Sequence, residues 1–400
     1  MRQRRWPILL LVLTLLGLLG LGLRRARPTS TAVTADVVGY LSAPSDARYA
    51  RVTEPREIRF PADAGAHDAF QTEWWYYTGN LADAEGRRFG FQLTFFRRAL
   101  GPADALRERD SDWAASQLYL AHFTVTDVAA ERFHAAERLA RGAAGLAGAE
   151  AAPFRVWVEG WEAVQPAAVG AGPRGAWDVP LRLLAEDGPV AIDLRLRPAK
   201  PPALHGDRGF SPKGPEPGNA SYYYSYSRLE AEGRLRTADG DFSVEGLAWM
   251  DHEWSTSALA EDQVGWDWFS LQLDDGRELM AFQVRQAAGG VSPESSGSLI
   301  AADGTVQALK REDFRVEPRG SWRSPRGGEY PSGWRLRLPA AGLDLAIEPQ
   351  LADQELDLGL RYWEGSVRVT GRSAEGPVDG YGYVELTGYD GARQALPGLD

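Results

Sequence analysis

Short alternating apolar runs that end at turns rich in Asp and Gly constrain the fold of this chain more than any other feature. Phe89–Arg97 and Gln117–Thr126 alternate as a strand with one buried face does. Aromatic residues, which strands favour, are abundant, with 14 each of Trp, Tyr and Phe. The pattern predicts an all-β protein of antiparallel barrels or sandwiches, in which Ala129–Ala147, Ala-rich and interrupted by Gly, forms a loop with a helical turn or two. Asp-Gly pairs favour tight turns between strands and occupy residues 187–188, 239–240, 303–304 and 379–380.

A repeat predicts two similar domains. The stretches Trp75–Phe91 and Trp266–Phe282 have the same spacing of sixteen residues. In both, an aromatic run turns at Gly-Arg and returns through Phe-Gln. Duplication of one β domain explains this match. We therefore place a first β-barrel domain at residues 55–215 and a second at residues 216–395.

The segment Pro198–Gly218 joins the two predicted domains and is rich in Pro and Gly. This composition is typical of an interdomain connection. The segment also contains His205, Asp207 and Arg208, which favours a second interpretation, a structured loop with a function of its own.

An apolar run from Trp6 to Leu23 stands apart from the rest of the chain, with three Arg before it and three after it. Its length as a helix, about 27 Å, is close to the thickness of a hydrocarbon core. A basic start before a Leu-rich run is typical of a secretory signal, whereas the basic patch that follows resists translocation. Residues 1–27 are therefore a signal peptide or a membrane anchor. Both interpretations predict a periplasmic or other extracytoplasmic body, anchored to the inner membrane if residues 6–23 are retained.

Charge and composition exclude several classes of function. Without residues 1–27, which hold six Arg, the chain has 38 basic against 55 acidic residues, a net charge of −17. An acidic surface repels phosphate backbones, so we expect no nucleic-acid partner. The absence of Cys excludes disulfides, thiolate metal sites and a Cys nucleophile. No Gly-rich nucleotide loop, G-x-S-x-G elbow or H-E-x-x-H motif occurs, so we expect no cofactor and no metal.

The densest group of chemically capable side chains is Trp249-Met-Asp-His-Glu-Trp254. On a strand, His252 and Trp254 share one face, while Asp251 and Glu253 share the other. A His and carboxylates among aromatic rings suit an acid–base site in an apolar cavity, because burial keeps a carboxyl protonated and ring faces stabilise a cation. The alternative is a polar cluster at the mouth of a barrel whose Trp residues form the core.

Further residues on the same pattern extend the candidate site. Trp266 and Trp268 share one strand face, and Asp267 lies on the other. His122 lies on a predicted strand beside Phe123, and both a core position and a pocket position are open for it. In the first half, three side chains share one strand face: Glu73, Trp75 and Tyr77.

At these motifs the sequence resembles the AttH-like family, which is related to the carotenoid 1,2-hydratases (hydroxyneurosporene synthases, CrtC-like). The resemblance covers about residues 55 to 390. It rests on Glu73-Trp-Trp-Tyr-Tyr-Thr-Gly-Asn80, Tyr119-Leu-Ala-His-Phe123, Leu204-His-Gly-Asp-Arg-Gly209, Lys213-Gly-Pro-Glu-Pro-Gly-Asn-Ala-Ser-Tyr-Tyr-Tyr-Ser225, Trp249-Met-Asp-His-Glu-Trp254, Gly265-Trp-Asp-Trp268, Tyr362-Trp-Glu-Gly365 and Gly382-Tyr-Val-Glu-Leu-Thr-Gly388.

The resemblance implies two consecutive lipocalin-like (calycin) antiparallel β-barrels. It also implies a link to an ABC-type transporter, because AttH-like proteins are commonly encoded beside one. The hydratase relatives add water to an isoprenoid double bond, which makes a hydro-lyase one expectation. His252 and Trp254 match the His-x-Trp positions of that family and are carried over as catalytic residues. Asp267 is assigned as the acid by proximity alone.

Three hypotheses follow for the function. The first is an exported protein that binds a hydrophobic lipid or isoprenoid in a β-barrel pocket and works with an ABC-type transporter. The second is a carotenoid 1,2-hydratase-like enzyme that acts by acid catalysis. The third is a non-enzymatic partner in envelope assembly. For the first two, the expected catalytic residues are His252, Trp254 and Asp267, and the expected ligand-binding residues are Glu73, Trp75, Tyr77, His122, Trp266 and Trp268.

Overall fold

The computed structural model of the chain describes residues 35–36, 48–101, 115–166, 174–256, 259–260 and 262–389. The predicted signal or anchor segment, residues 1–27, lies outside the described residues. Within those ranges no helix has the length and apolar character needed to cross a membrane. The regular structure is almost entirely β, with short 3-10 helices at Ala62–Ala64 and Pro339–Ala341. The all-β fold predicted from the alternating runs is confirmed.

The first sheet curves into a nearly closed antiparallel barrel. Its hydrogen-bonded order in the described part of the chain is β5-β4-β3-β2-β14-β13-β10-β9-β8-β7-β6, with β11 and β12 paired beside β13. The strands are β2 (Thr72–Ala82), β3 (Arg88–Ala99), β4 (Gln117–Asp127), β5 (Arg132–Arg141), β6 (Ala147–Ala151), β7 (Phe154–Val158), β8 (Trp161–Val164), β9 (Leu181–Asp187), β10 (Val190–Pro198), β11 (Ala203–Leu204), β12 (Phe210–Pro212), β13 (Ala220–Thr237) and β14 (Gly240–Ser255).

The second sheet contains the strands that follow residue 262 together with β1 (Ala35–Asp36), which pairs in parallel with β25. Its order is β18-β17-β16-β15-β26-β25-β23-β22-β19, and β24 pairs with β25. The strands are β15 (Gln263–Leu273), β16 (Glu278–Gln286), β17 (Ser296–Ile300), β18 (Val306–Leu309), β19 (Arg315–Pro318), β22 (Trp334–Leu338), β23 (Leu343–Pro349), β24 (Glu355–Asp357), β25 (Leu360–Ser373) and β26 (Gly376–Leu386); a separate hairpin is formed by β20 (Ser321–Arg323) and β21 (Glu329–Pro331).

The change of sheet falls later in the chain than the domain division placed at residue 215. Both β13 and β14 belong to the first sheet, because β14 returns from the hairpin at Gly240 and pairs with β2 along its length. The second sheet begins at Gln263, after Ser255. The segment Pro198–Gly218 is accordingly part of the first sheet, where β11 and β12 pair with β13.

The expectation of a loop over Ala129–Ala147 was wrong. Strand β5 runs from Arg132 to Arg141 and pairs with β4 over ten residues. Ala136 and Ala140 on this strand are buried. Small side chains therefore pack against the barrel core at positions where other strands have larger residues. Pairing with a long, strongly patterned neighbour outweighs the weak strand preference of Ala.

Apolar side chains form one core inside each sheet and two further clusters between the sheets, one that includes Trp249 and Trp268 and one that includes Phe96 and Tyr362. Buried hydrogen bonds also cross between the sheets. The hydroxyl of Tyr76 on β2 donates to Glu364 on β25 at 2.8 Å, and the amide of Gln272 on β15 donates to the carbonyl of Ala248 on β14 at 2.9 Å. The outer faces of β2 and β14 are therefore held against β15, β25 and β26, and the site described next lies at this junction.

Candidate functional site

A pocket lies between the two sheets, with about 870 Å³ of empty space that includes a part open to solvent. The first sheet contributes side chains from β2, β3, β13 and β14, and the second contributes side chains from β15, β16, β25 and β26. Most of the wall is aromatic, and the polar groups are few and convergent, as in ligand pockets generally. The lining residues are Trp74, Tyr76, Phe96, Lys213, Tyr223, Asp251, Glu253, Ser255, Leu259, Trp266, Trp268, Phe282, Val284, Tyr362 and Glu385.

Strand alternation divides the motif Trp249-Met-Asp-His-Glu-Trp254 between this pocket and the barrel interior. Asp251 and Glu253 line the pocket, as one face of β14. His252 and Trp254 lie on the other face, among the buried side chains of the first barrel. The predicted separation of the two faces is what the structure shows, and it leaves His252 and Trp254 outside the pocket.

The same division applies to β2. Glu73, Trp75 and Tyr77, the predicted ligand-binding residues, are fully buried inside the first barrel. Their neighbours Trp74 and Tyr76 line the pocket instead. The predicted triplet shares one face, but that face is turned away from the pocket.

Glu73 is the centre of a hydrogen-bonded cluster inside the first barrel. Its Oε1 lies 2.7 Å from His252 Nε2 and 2.7 Å from His67 Nδ1, and its Oε2 accepts a hydrogen bond from Arg97 Nε at 2.8 Å. Trp254 stacks on the His67 ring with centroids 3.8 Å apart. His67, which the sequence pattern did not mark, is thus a member of the buried cluster.

The charges of this cluster are balanced within it. Burial raises the pKa of Glu73, but Arg97, His252 and His67 outweigh that effect and hold this pKa well below its usual value. Burial lowers the pKa of His252 to about 4, so its ring is neutral near pH 7. Ligand atoms of His67, Glu73 and His252 lie within 4.8 Å of one another, as in a metal site, yet Arg97 already supplies the positive charge that a cation would bring.

Asp267 lies on the face of β15 that is turned away from the pocket. Arg285 Nε donates to its Oδ1 at 3.1 Å, and the Tyr389 hydroxyl donates to the same oxygen at 2.9 Å. Burial raises the pKa of Asp267, and Arg285 opposes the shift. Its neighbours Trp266 and Trp268, both predicted ligand-binding residues, do line the pocket.

His122 is buried behind the pocket wall rather than in it. Its Nδ1 lies 2.7 Å from the Tyr362 hydroxyl, and its Nε2 lies 3.0 Å from Glu137 Oε2. Tyr362 lines the pocket, so His122 contacts a lining residue.

Asp251 is the most extensively hydrogen-bonded acid of the pocket. It accepts from Trp249 Nε1 at 2.6 Å, from the Tyr223 hydroxyl at 2.8 Å and from the Ser225 hydroxyl. Burial raises the pKa of Asp251 to about 7, although these three donors favour the ionised form. Ser225 in turn contacts His205 Nε2 at 2.6 Å, which connects the pocket to the Pro198–Gly218 segment.

The other polar groups of the pocket are a lysine and two glutamates. Lys213 Nζ lies 3.0 Å from Glu253 Oε1 and 4.2 Å from the centroid of the Phe282 ring. Glu385 accepts from Trp266 Nε1 at 2.9 Å, and burial raises the pKa of Glu385 to about 8. The pocket therefore offers a paired cation, and carboxyl groups whose pKa is raised by burial, inside an aromatic wall.

Sequence reasoning missed Lys213, Glu385 and Tyr223 as site residues. All three lie in motifs that carried the family resemblance. Strand alternation around Trp266 and Asp251 shows which side chains share a strand face. What the pattern does not contain is which of the two faces meets the other sheet.

Two packed antiparallel β structures with an aromatic pocket define a lipocalin-like class of protein. Residues 51–389 match the family described as AttH-like, and the chain belongs to that family. An AttH protein from Nitrosomonas europaea of known crystal structure is 35% identical, with a TM-score of 0.73 over 85% of this chain and 99% of that chain. The resemblance drawn from the motifs is confirmed.

A second solved structure, kievitone hydratase from Nectria haematococca, has a TM-score of 0.60 at 14% identity, over 87% of this chain and 98% of that chain. At this identity the match shows a shared fold. No curated protein matches the sequence of this chain.

Proposed function

We propose that this AttH-like protein binds a hydrophobic small molecule, of lipid or isoprenoid type, in the pocket between its two sheets. The observation that carries the proposal is the pocket itself, an aromatic wall with few polar groups. Trp74, Trp266 and Trp268 offer apolar area to a ligand, and each ring gains from burial against it. Lys213 and Glu385 provide polar groups that would fix the orientation of one end of the ligand.

Titration with a neutral fluorescent apolar probe, N-phenyl-1-naphthylamine, tests this proposal. Val284→Phe adds volume at the pocket wall, and we expect it to weaken probe binding about tenfold. Val179→Phe is the matched control, because Val179 lines a smaller cavity on the first sheet, next to Phe60 and Tyr226. Equal binding by the wild type and Val284→Phe would contradict the intersheet site, and a loss confined to Val179→Phe would move it to the smaller cavity.

A second candidate function is acid-catalysed addition of water to a double bond of such a ligand. The observation that favours it is the presence of Asp251 and Glu385, both with raised pKa values, beside the ring faces of Trp266 and Trp268. An acid that retains its proton near pH 7 can donate it, and ring faces stabilise a carbocation. The fold shared with kievitone hydratase, a hydratase by name, agrees with this chemistry.

Incubation of the purified protein with acyclic carotenoids or shorter isoprenoids in ¹⁸O-labelled water tests the reaction. The expected product carries one labelled hydroxyl group and is found by mass spectrometry. If bound isoprenoid is recovered unlabelled after long incubation, the protein binds the ligand without hydrating it.

We also propose the extracytoplasmic location and the link to an ABC-type transporter. The support is the apolar run 6–23 between clusters of Arg and the family membership. Fractionation of cells that produce the full chain, or a variant without residues 1–27, separates the outcomes. Periplasmic or membrane recovery that depends on residues 1–27 agrees with export, whereas recovery of both forms in the cytoplasm contradicts it.

A further inference from the structure

Two glutamates face each other across neighbouring strands at the wall of the pocket. Glu364 on β25 and Glu385 on β26 are directly opposite in the register. Glu364 is fully buried, and Glu385 lines the pocket. Two carboxylates in this position would repel each other strongly in a poorly solvated site. Their placement therefore calls for a neutralising partner or for a proton.

The described residues around the pair provide hydrogen-bond donors, and no cation among them forms an ion pair with either glutamate. Tyr76 donates to Glu364 Oε2 at 2.8 Å, and Trp266 Nε1 donates to Glu385 Oε1 at 2.9 Å. Among the ion pairs formed within the described ranges, Lys213 pairs with Glu253, and none involves Glu364 or Glu385. Hydrogen bonds from neutral donors reduce the repulsion between two carboxylates, but they do not remove either negative charge.

The second oxygen of the Glu364 carboxyl is not satisfied by a neutral donor among the residues that the structure describes. Oε1 of Glu364 is buried and receives no N–H or O–H donor from another residue of the described part. Glu385 is directly opposite Glu364 in the register, so it is the neighbouring carboxyl group on the same face of the sheet. Two ionised carboxylates have no donor to offer each other, so a hydrogen bond between this pair requires a proton on one of the two.

We propose that Glu364 and Glu385 share one proton and that Glu385 delivers it from the pocket wall to a carbon–carbon double bond of the bound apolar ligand. This inference rests on the proposed pocket function and names the acid of the hydration reaction. Glu385 is the catalytic residue, because it lines the pocket. Glu364 is a positioning residue, which retains the proton on the pair.

The other acids of the pocket are less suited to this role. Asp251 accepts three hydrogen bonds, all of which stabilise its ionised form. Glu253 is neutralised by Lys213 and accepts from the Ser221 hydroxyl. Burial and the neighbouring carboxyl raise the pKa of Glu364 well above its usual value, in agreement with a retained proton.

In the reaction step, the O–H bond of Glu385 breaks and a C–H bond forms from the π electrons of the double bond. The adjacent carbon becomes a carbocation, which the faces of neighbouring aromatic rings stabilise. A water molecule from solvent then adds through oxygen and returns one proton to the Glu385 carboxylate. The net change is the addition of one water to the double bond, and the acid pair is regenerated.

Titration of the pair takes place among several other groups that face it. These are Asp251 and Glu253 on β14 and the phenols of Tyr76, Tyr362 and Tyr383. Substitution of either glutamate is therefore more informative than a pH titration of the wild type alone.

Infrared spectroscopy of the full chain in D₂O tests the shared proton directly. We expect the C=O stretch of a protonated carboxyl at pH 7 in the wild type and its loss in E364Q/E385Q, with the band retained in the surface control D193N. An unchanged band in E364Q/E385Q would overturn the inference. Folding of each variant is checked by circular dichroism, and E364D provides a conservative replacement.

Turnover of an acyclic isoprenoid in D₂O tests the proton transfer. E385Q is expected to lose at least about 100-fold in the rate of deuterium incorporation at carbon. E364Q is expected to move the fall of activity at high pH to lower pH, because Glu385 loses its like-charged neighbour, and E364D is expected to restore the profile. Equal rates in wild type and E385Q would overturn the inference.

The outcomes separate this inference from the proposed binding function. If E385Q still binds N-phenyl-1-naphthylamine but its infrared band and exchange rate match the wild type, the pocket stands and the acid pair fails. If the wild type does not bind the probe, the proposed function fails whatever the infrared spectrum shows.

Discussion

At the scale of single residues, the first barrel has a buried charge cluster whose members stabilise one another. Glu73 and Arg97 are both fully buried, and the imidazoles of His67 and His252 complete the hydrogen bonds of the Glu73 carboxylate. A buried ion pair of this type matters most when one partner is removed, because the other charge is then left without compensation. The cluster faces the barrel interior, where removal of one member is expected to change the stability of the fold.

Glu73→Gln is expected to lower the free energy of unfolding by about 3 kcal/mol, because Arg97 remains buried without its carboxylate. Urea unfolding monitored by circular dichroism measures the change. The matched control is Asp193→Asn, which removes an exposed ion pair with Arg182 and should cost less than about 1 kcal/mol. Similar losses of stability in the two variants would show that the buried cluster contributes no more to stability than an exposed ion pair does.

The acid pair predicts a specific dependence of stability on pH. The pKa of Glu385 is about 8 in the folded protein, above that of a glutamate in an unfolded chain, so the folded state holds the extra proton between about pH 4.5 and 8. This contribution to stability is complete below the unfolded pKa and is lost as the pH rises through the folded pKa.

The variant E364Q/E385Q has no such proton to lose. From pH 5 to pH 8 we expect the wild type to lose about 2 kcal/mol of stability relative to this variant, a value reduced for the partial exposure of Glu385. Urea unfolding of both proteins at the two pH values measures the difference. Parallel behaviour of the two proteins would mean that the pair does not titrate in this range.

Residue types and alternation predict which side chains share a strand face, but not which face meets a pocket. Asp251 and His252 lie on opposite faces, as predicted, and the predicted catalytic residues His252 and Trp254 lie on the face inside the barrel. Asp267 was chosen by proximity in sequence, whereas Glu385, one of the acids that line the pocket, is more than one hundred residues away on a neighbouring strand. Contacts between sheets depend on long-range packing, which no local pattern contains.

At the scale of elements, the strands with strong alternation were the predictable ones. Strand β3 covers the predicted run Phe89–Arg97, and β4 covers Gln117–Thr126. Strand β5 was missed because its Ala-rich sequence has little intrinsic preference and is ordered by pairing with β4.

Gly79 on β2 lies where β2, β3 and β14 approach one another closely. This close approach explains why a glycine occupies this position of the Glu73–Asn80 motif. A Cβ atom at this position would lie 2.4 Å from Phe91 Cε1 on β3 and 2.8 Å from the carbonyl oxygen of Leu247 on β14. The backbone of Leu247 cannot move away without disturbing the pairing of β14 with β2.

Gly79→Ala is expected to lower the free energy of unfolding by about 2 kcal/mol through overpacking. Gly101→Ala is the control, because a Cβ at Gly101 meets no atom of the described residues within 4 Å. Thermal unfolding of the two variants measures the difference in stability. Equal midpoints would show that β2 and β14 accommodate the added methyl group at little cost in stability.

At the scale of the whole molecule, the repeat predicts two β domains divided at residue 215, and the first sheet continues past that residue as far as Ser255. Composition marked Pro198–Gly218 as a connection, whereas the chain continues through β13 and β14 before it enters the second sheet. Pro and Gly interrupt strands in either setting, so composition alone does not distinguish a loop within a sheet from a linker.

The two sheets are tied by buried hydrogen bonds, and Asn80 of the first sheet shows this most clearly. Its Nδ2 donates to the Gly382 carbonyl at 3.0 Å, and its Oδ1 accepts from Gln350 at 3.0 Å and from Ser366 at 2.5 Å. Loss of one such side chain leaves several buried polar groups unsatisfied at once.

We therefore expect the sheets to unfold in a single transition, with coincident curves from far-ultraviolet circular dichroism and tryptophan fluorescence. Asn80→Ala should lower the stability of that transition by about 2 kcal/mol, whereas Gln307→Ala, at an exposed amide on β18, should change it by less than about 0.5 kcal/mol. Two separate transitions in the wild type would show that each sheet is stable alone. In that case the pocket between them would open without unfolding of either sheet, and ligand binding would stabilise the junction rather than the sheets, because a ligand stabilises only the states that contain its site.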